Sequence, residues 1–134
     1  MMDASVKDPF ATWEQWQRDE LAANTANAHV GTLLVAENAR GRVWHLTLHP
    51  GERLPFHRHV LDYFWTVTSP GGGHGRSHYG DGRVVEVVYL EGETRHLSFA
   101  AGDSMIHDLE NLGSTPLSFV TVEYLPIANA PLPL

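Results

Sequence analysis

This sequence predicts an all-β domain, closed into a barrel or folded as a double-sheet jelly roll, with one short N-terminal helix. Two observations carry the expectation. From residue 29 onward the chain is a succession of short runs rich in Val, Leu, Thr and aromatics, separated by Gly, Pro, Asn and Asp. Helical periodicity occurs only before that point. With 134 residues, 43% of them hydrophobic and 19% charged, the chain fits one domain able to bury a real core. The expected organisation is an N-terminal arm with a short helix over residues 1–28, a β-barrel over 29–126 and an extended tail over 127–134.

In chain order, a loop runs through Pro9, and Thr12 with Gln15 three residues on resembles a capping box that opens a helix of about three turns through Asn24. Trp13, Trp16 and Leu21 share its broad apolar face. Two indole rings on a short helix need cover from the domain or from a second copy of the chain. Strands are expected at 29–36, 42–48, 56–59, 62–68, 83–90, 94–99, 104–109 and 117–125. Gly80-Asp81-Gly82 and Glu91-Gly92-Glu93 are compact enough for hairpin turns, with Gly supplying positive φ. Gly71 to Gly75 reads as a flexible loop. Its glycines lack the following helix and the Lys-Ser/Thr pair of a phosphate cradle. A closed barrel or jelly roll manages the sheet edges that this many strands create.

Charge and composition exclude several functions. Nine Lys+Arg stand against 16 Asp+Glu, a formal charge of −7, with no basic run to track a phosphate backbone, so nucleic acid is not an expected partner. There is no cysteine, which removes disulfides and thiolate metal sites and leaves only N and O ligands. The first residues lack the apolar core of a signal peptide, and no apolar run is long enough to cross a bilayer. A cytoplasmic protein without a membrane partner is expected.

The chemistry concentrates between Pro50 and Trp65. After a Pro/Gly-marked turn, His57 and His59 stand one residue apart, and in an extended chain residues i and i+2 aim at the same face. His107 lies on a late strand, after a Gly102-Asp103 turn and four residues before Asn111. In a jelly roll an early and a late strand face each other across the bore, so His107 is placed to complete the set. Neutral imidazoles suit iron, nickel, copper and zinc, whereas magnesium and calcium want oxygen ligands. Three protein ligands leave positions open, as catalytic sites require.

Gly51-x5-His57-x-His59, followed by Gly102-Asp103 and His107-x3-Asn111, resembles the paired motifs of the cupin superfamily, specifically small single-domain bacterial cupins. The likeness spans residues 43–124. His-Arg-His-x-x-Asp-Tyr together with His-Asp-Leu-Glu-Asn looks like uncharacterised cupins, some described as β-alanine-degradation proteins. The resemblance implies a cupin jelly-roll barrel, a homodimer, and one divalent transition metal on His57, His59 and His107, with iron favoured over nickel, zinc, copper or manganese. Two departures stand out. Tyr63 and Phe64 occupy the positions where cupins usually carry a glutamate ligand, and the Pro-x-Gly before His107 is missing. Without the glutamate the set resembles the three-histidine Fe(II) cupin dioxygenases. The implied function is a dioxygenase-like oxidoreductase acting on a small carbonyl or carboxylate metabolite, with Tyr63 as a catalytic donor beside the metal. The competing readings are an O2-independent isomerase or hydrolase and a non-catalytic small-molecule-binding module.

Other residues are weighed from parity and charge. Asp62 is expected to cap a turn or orient a histidine rather than to bind metal. Trp65 and Val67 share the parity of Tyr63 and should line the bore, with Phe64 and Thr66 facing away. His45 alternates with Val43 and Thr47, and its facing stays open. His29, His49, His74, His78 and His96 are expected at the surface or in turns. Arg53 is read as a solvated loop cation, with an anionic substrate as the alternative. Glu123, if it points inward, must be paired.

Overall fold

The computed structural model describes residues 8–125 and 127–134. The loop expected before Pro9 lies outside these residues as far as residue 7, as does the expected barrel boundary at residue 126. One helix, α1 (Gln15–Ala23), precedes nine strands: β1 (Leu33–Asn38), β2 (Gly41–Leu48), β3 (Arg53–His59), β4 (Tyr63–Val67), β5 (Gly73–His78), β6 (Val84–Tyr89), β7 (Thr94–Leu97), β8 (Met105–Asn111) and β9 (Leu117–Tyr124). They form a five-stranded sheet in the order β1-β2-β9-β4-β7 and a four-stranded sheet in the order β3-β8-β5-β6. Neighbouring strands are antiparallel throughout. The all-β fold with one short helix is as expected. No helix among the described residues is long and apolar enough to cross a membrane.

Alternation decides which side chains meet between the sheets. On β2, Arg42, Trp44, Leu46 and Leu48 are buried while His45 and Thr47 are exposed. On β9, Leu117, Phe119, Thr121 and Glu123 are buried. Leu46, Leu48, Leu54, Val67, Tyr89, Leu109, Leu117 and Phe119 pack as one cluster, and several of them also line the interior cavity. Each such side chain, fully removed from water, contributes about 1.5–3 kcal/mol before entropy is charged against it.

Three expectations need correction. The first is the capping box: α1 starts at Gln15 with Glu14 as its N-cap, and the Gln17 side chain accepts the Glu14 backbone N–H at 2.7 Å. Thr12 falls in the preceding turn, closed by Trp13 N–H to the Phe10 carbonyl at 2.9 Å. Trp13 therefore sits before the helix. Its ring is buried, stacked on Phe56 at 5.6 Å, so this indole finds its cover within the chain.

Second, Gly71 to Gly75 is not one loop. Gly71 and Gly72 turn with φ of 76° and 77°, but Gly73 begins β5, which pairs with β6 and β8. Crowding favours glycine there. A Cβ on Gly73 would lie 2.7 Å from Leu117 Cδ1, and one on Gly75 would lie 3.0 Å from the Tyr89 ring. Propensity reads such a segment as loop, and tertiary crowding makes it a strand.

Third, Glu91-Gly92-Glu93 is not a hairpin turn. Gly80-Asp81-Gly82 does join the paired strands β5 and β6, but Glu91-Gly92-Glu93 carries the chain from β6 in one sheet to β7 in the other. Both are edge strands, and their junction forms one margin of the interior cavity.

Candidate metal centre

His57 and His107 are paired directly across β3 and β8, and His59 is paired with Met105 one step along. The histidines thus come from adjacent strands of one sheet, not from opposite sides of the bore. Their ring centroids lie 4.7 Å (His57–His107), 4.9 Å (His57–His59) and 5.2 Å (His59–His107) apart. One nitrogen from each lies within 4.8 Å of the others, and no other such group occurs among the described residues.

A β-bulge makes this possible. Leu54 pairs with Leu109 and His57 with His107, so β3 carries one residue more than β8 between these points. The extra residue resets the alternation, and Leu54, His57 and His59 all face the cavity. The backbone groups released from the ladder are accounted for. Pro55 has no N–H, and its carbonyl accepts from His57 Nδ1 at 2.8 Å. The Phe56 N–H donates to Glu20 Oε2 at 3.2 Å, and the Phe56 carbonyl accepts from Asn27 Nδ2 at 3.0 Å. The helical arm therefore holds the kink that aims His57.

Behind the same sheet lies a charged network that sequence reading missed. Asp108 has no exposed surface; it accepts from Arg53 Nη2 at 2.7 Å, from the His78 backbone N–H at 2.6 Å and from His78 Nδ1 at 3.1 Å. Arg53 also forms a two-pronged pair with Glu20 at 3.1 and 2.9 Å and lies 4.8 Å from the Trp16 ring. Arg53 is thus neither a solvated cation nor a substrate anchor, and His78 is buried rather than at the surface. Their role is to tie β3, β5 and β8 to α1. The signal available in sequence was parity: Asp108, next to an inward His107, must point out of the bore, where only a cover with cations stabilises it.

The remaining expectations resolve as follows. Tyr63 is buried and stacks on His59 at 4.1 Å and 12°. Trp65 lines the cavity, Val67 packs in the core, Phe64 lies against His96 and Tyr124, and Thr66 hydrogen-bonds Thr94. Asp62 lies outside the histidine group and accepts the N–H of Phe99, 37 positions along the chain, at 2.8 Å, a long-range tie in place of the expected turn cap or histidine contact. His45 is exposed. Glu123 points inward and is paired, accepting from Trp44 Nε1 at 2.7 Å, and does not line the cavity. Asn111 is buried at the far end of β8, where its amide donates to the Leu48 and Thr115 carbonyls. Tyr79, unremarked in the sequence, is bridged to His107 with its ring 5.4 Å away. Had β5 been recognised, its parity with Ser77 would have placed it on the cavity wall.

The electrostatics favour ligation. Burial pushes His57 down to about 4, offset only in part by the Pro55 carbonyl. His59 and His107 are pushed well below the ordinary histidine value, by burial first and then by their neighbouring imidazoles. All three are neutral at physiological pH, the form that binds metal. The Pro55 contact fixes the His57 proton on Nδ1 and leaves Nε2 as the donor. His59 Nε2 and His107 Nε2 face each other at 3.2 Å, and the Nδ1 atoms of both are buried without a partner. Three neutral imidazoles, two buried and the third half-buried, with converging, under-used lone pairs fit a divalent transition metal. Tyr63 is raised far above the ordinary phenol value, by burial first and by neighbouring Tyr79 and Glu123, so its hydroxyl keeps its proton.

The cavity beside the histidines has a volume of about 190 Å³. Val30, Leu46, Trp65, Val87, Tyr89 and Phe119 give it an apolar wall, and the polar groups include the histidines, Tyr63, Tyr79 and Thr121, with Arg95 on β7 and Glu93 in the turn before it.

No protein-family model matches the sequence, and no curated protein matches it. Solved structures do match. A cupin-domain protein of Bordetella pertussis Tohama I superposes with a TM-score of 0.61 at 21% identity, over 70% of this chain and 91% of that one. The chain has a cupin fold. An uncharacterised conserved protein of Klebsiella pneumoniae with a double-stranded β-helix domain gives 0.54 at 27% identity, over 72% and 76% of the two chains. An RmlC-like cupin family protein of Methanocaldococcus jannaschii gives 0.54 at 19% identity, over 68% and 75%. Within this cupin fold the histidine group lies on the four-stranded sheet and faces the interior.

Proposed function

We propose that the protein is a metal-dependent cupin enzyme of the three-histidine dioxygenase type, acting on a small carbonyl or carboxylate metabolite. The observation that carries this reading is the convergence of three neutral imidazoles on the wall of a largely apolar cavity, with no carboxylate in the group. His57, His59 and His107 would hold one divalent transition metal, iron favoured, leaving positions open toward the cavity. When bound, such a metal supplies Lewis acidity and, as iron, redox chemistry toward O2.

The chain's own contributions are distinct. The apolar wall excludes water and strengthens every polar contact made inside. Tyr63, held flat against His59 and kept protonated, presents a hydroxyl that donates to a substrate oxygen without surrendering its proton. Tyr79, on the far side of His107, positions that ring.

The test is metal analysis of the purified protein followed by O2 uptake of the iron-loaded form with a panel of short 2-oxo acids and carboxylates. The expected result is near-stoichiometric metal and substrate-dependent O2 consumption, with Tyr63→Phe retaining the metal and slowing turnover. Absence of metal overturns the reading. Turnover that persists anaerobically assigns the O2-independent isomerase or hydrolase class. Ligands that dissociate unchanged assign a binding module.

A further inference from the structure

Resting on that reading, the cavity also specifies what kind of molecule enters it. Glu93, Arg95 and Leu97 share one face of β7 and line the cavity, while Thr94 and His96 point outward to Thr66 and Phe64. Arg95 is the basic side chain on that wall, and it is exposed, which places it where the cavity meets solvent at the β6–β7 margin.

Most of the other arginines are occupied. Arg18, Arg42, Arg53, Arg76 and Arg83 each pair with a carboxylate, and Arg58 donates to the Thr25 carbonyl and Ser104. Arg95 makes no ion pair and no side-chain hydrogen bond among the described residues, although Glu93 is two positions away on the same face. That carboxylate is engaged elsewhere, accepting the Leu90 N–H at 3.1 Å and holding the turn between the sheets. In a chain with a formal charge of −7, a cation left free at a cavity mouth stands out against its surroundings.

Register gives the distance to the histidines. Arg95 is paired with Trp65, and Leu97 with Tyr63, the residue stacked on His59. The two levels are one alternation apart, about 7 Å along the strand. Trp65 and Leu97, which carry that register, are apolar, and Val87 and Tyr89 line the same cavity. The planar fork of a guanidinium matches a carboxylate with two parallel hydrogen bonds.

We propose that Arg95 anchors a substrate carboxylate at the cavity mouth, so that the substrate is a monocarboxylate whose short apolar body spans from Arg95 to the histidine group. The carboxylate is thereby held away from the histidines, and the reacting end is the other one.

The experiment measures binding of hexanoate and of its neutral isostere hexanamide to the full-length, zinc-loaded protein by titration calorimetry, in wild type and in Arg95→Gln. Hexanoate is expected to bind wild type at least tenfold more tightly than hexanamide. Arg95→Gln should abolish that preference while leaving hexanamide affinity and bound zinc unchanged. Equal affinities in wild type, or a preference that survives Arg95→Gln because the carboxylate sits at the metal, overturn the proposal. Repeating the titration with chelator-treated protein separates the two readings: an Arg95-dependent preference in a protein that never binds metal sustains the anchor and sinks the metalloenzyme.

Discussion

Glu20 on the helix accepts the backbone N–H of Phe56 at 3.2 Å, a contact between residues 36 positions apart. Phe56 sits in the bulge that turns His57 into the cavity, and its released N–H has no ladder partner, so the geometry of the three-histidine group depends on a carboxylate outside the barrel.

Glu20→Ala should weaken metal binding by about tenfold or more, the usual effect of removing a group that orients a ligand. The variant loses the bulge contact, while Arg53 keeps its pair with Asp108. Zinc affinity by competitive titration checks this, with far-ultraviolet circular dichroism confirming that the barrel is intact. Unchanged affinity would show that the bulge needs no help from the helix.

The ligand set has its own test. Changing His57, His59 or His107 singly to Ala should reduce bound metal from about one per chain to trace, since two imidazoles make a poor site. His45→Ala, on the outer face of β2, should leave metal content unchanged. Elemental analysis of the purified variants reads both outcomes.

Asp108→Asn removes a charge from a fully buried position facing Arg53 and His78. Breaking one side of such a pair costs about 3–5 kcal/mol. Retention of the Glu20 pair by Arg53 places the expected loss near the lower end, measured as a shift in the urea midpoint at neutral pH. A loss within error of zero would mean that the network contributes geometry without stability.

Glu123 gives the pH dependence. Burial raises its pKa above the ordinary glutamate value, against the lowering effects of the Trp44 hydrogen bond and the Arg42 charge. Folded protein therefore holds this proton more tightly than unfolded chain. Below the unfolded pKa both states are protonated and nothing is lost; as pH rises past it the unfolded chain ionises first, and stability falls until folded Glu123 also ionises. Glu123→Gln keeps an oxygen for Trp44 and removes the ionisation. The variant should melt higher than wild type at neutral pH, with the difference closing as the solution is acidified. A difference that grows in acid would reverse the assignment.

How much of this was legible before the structure can be traced through particular residues. Val, Leu and aromatic runs at β2, β4 and β9 announce themselves because alternation is a local property, and the His57, His59 and His107 spacing was readable from motifs alone. β5 was not, because its glycines reflect the positions of Leu117 and Tyr89, which are remote in sequence. Pro55 was an available clue to the bulge, since proline inside a strand has few other places to sit. Arg53 and Asp108 were opaque for a different reason. Each looks like a surface charge until the helix is known to pack over them, and no periodicity reports which element covers an outer sheet face.

The arm that covers this face is held by polar contacts rather than by a buried helix face. No residue of α1 is buried, and the arm's attachment runs through the Glu20–Arg53 pair, Gln17 against His78, Thr25 and Asn27 against Arg58 and Phe56, and the ring of Trp13. Such a segment opens with a smaller free energy than the barrel it rests on. Amide exchange at Phe56 should then follow the arm's detachment instead of global unfolding. A metal held by the three histidines would then be captured and released through a local opening at the N-terminal side of the chain, with the sandwich behind it left whole.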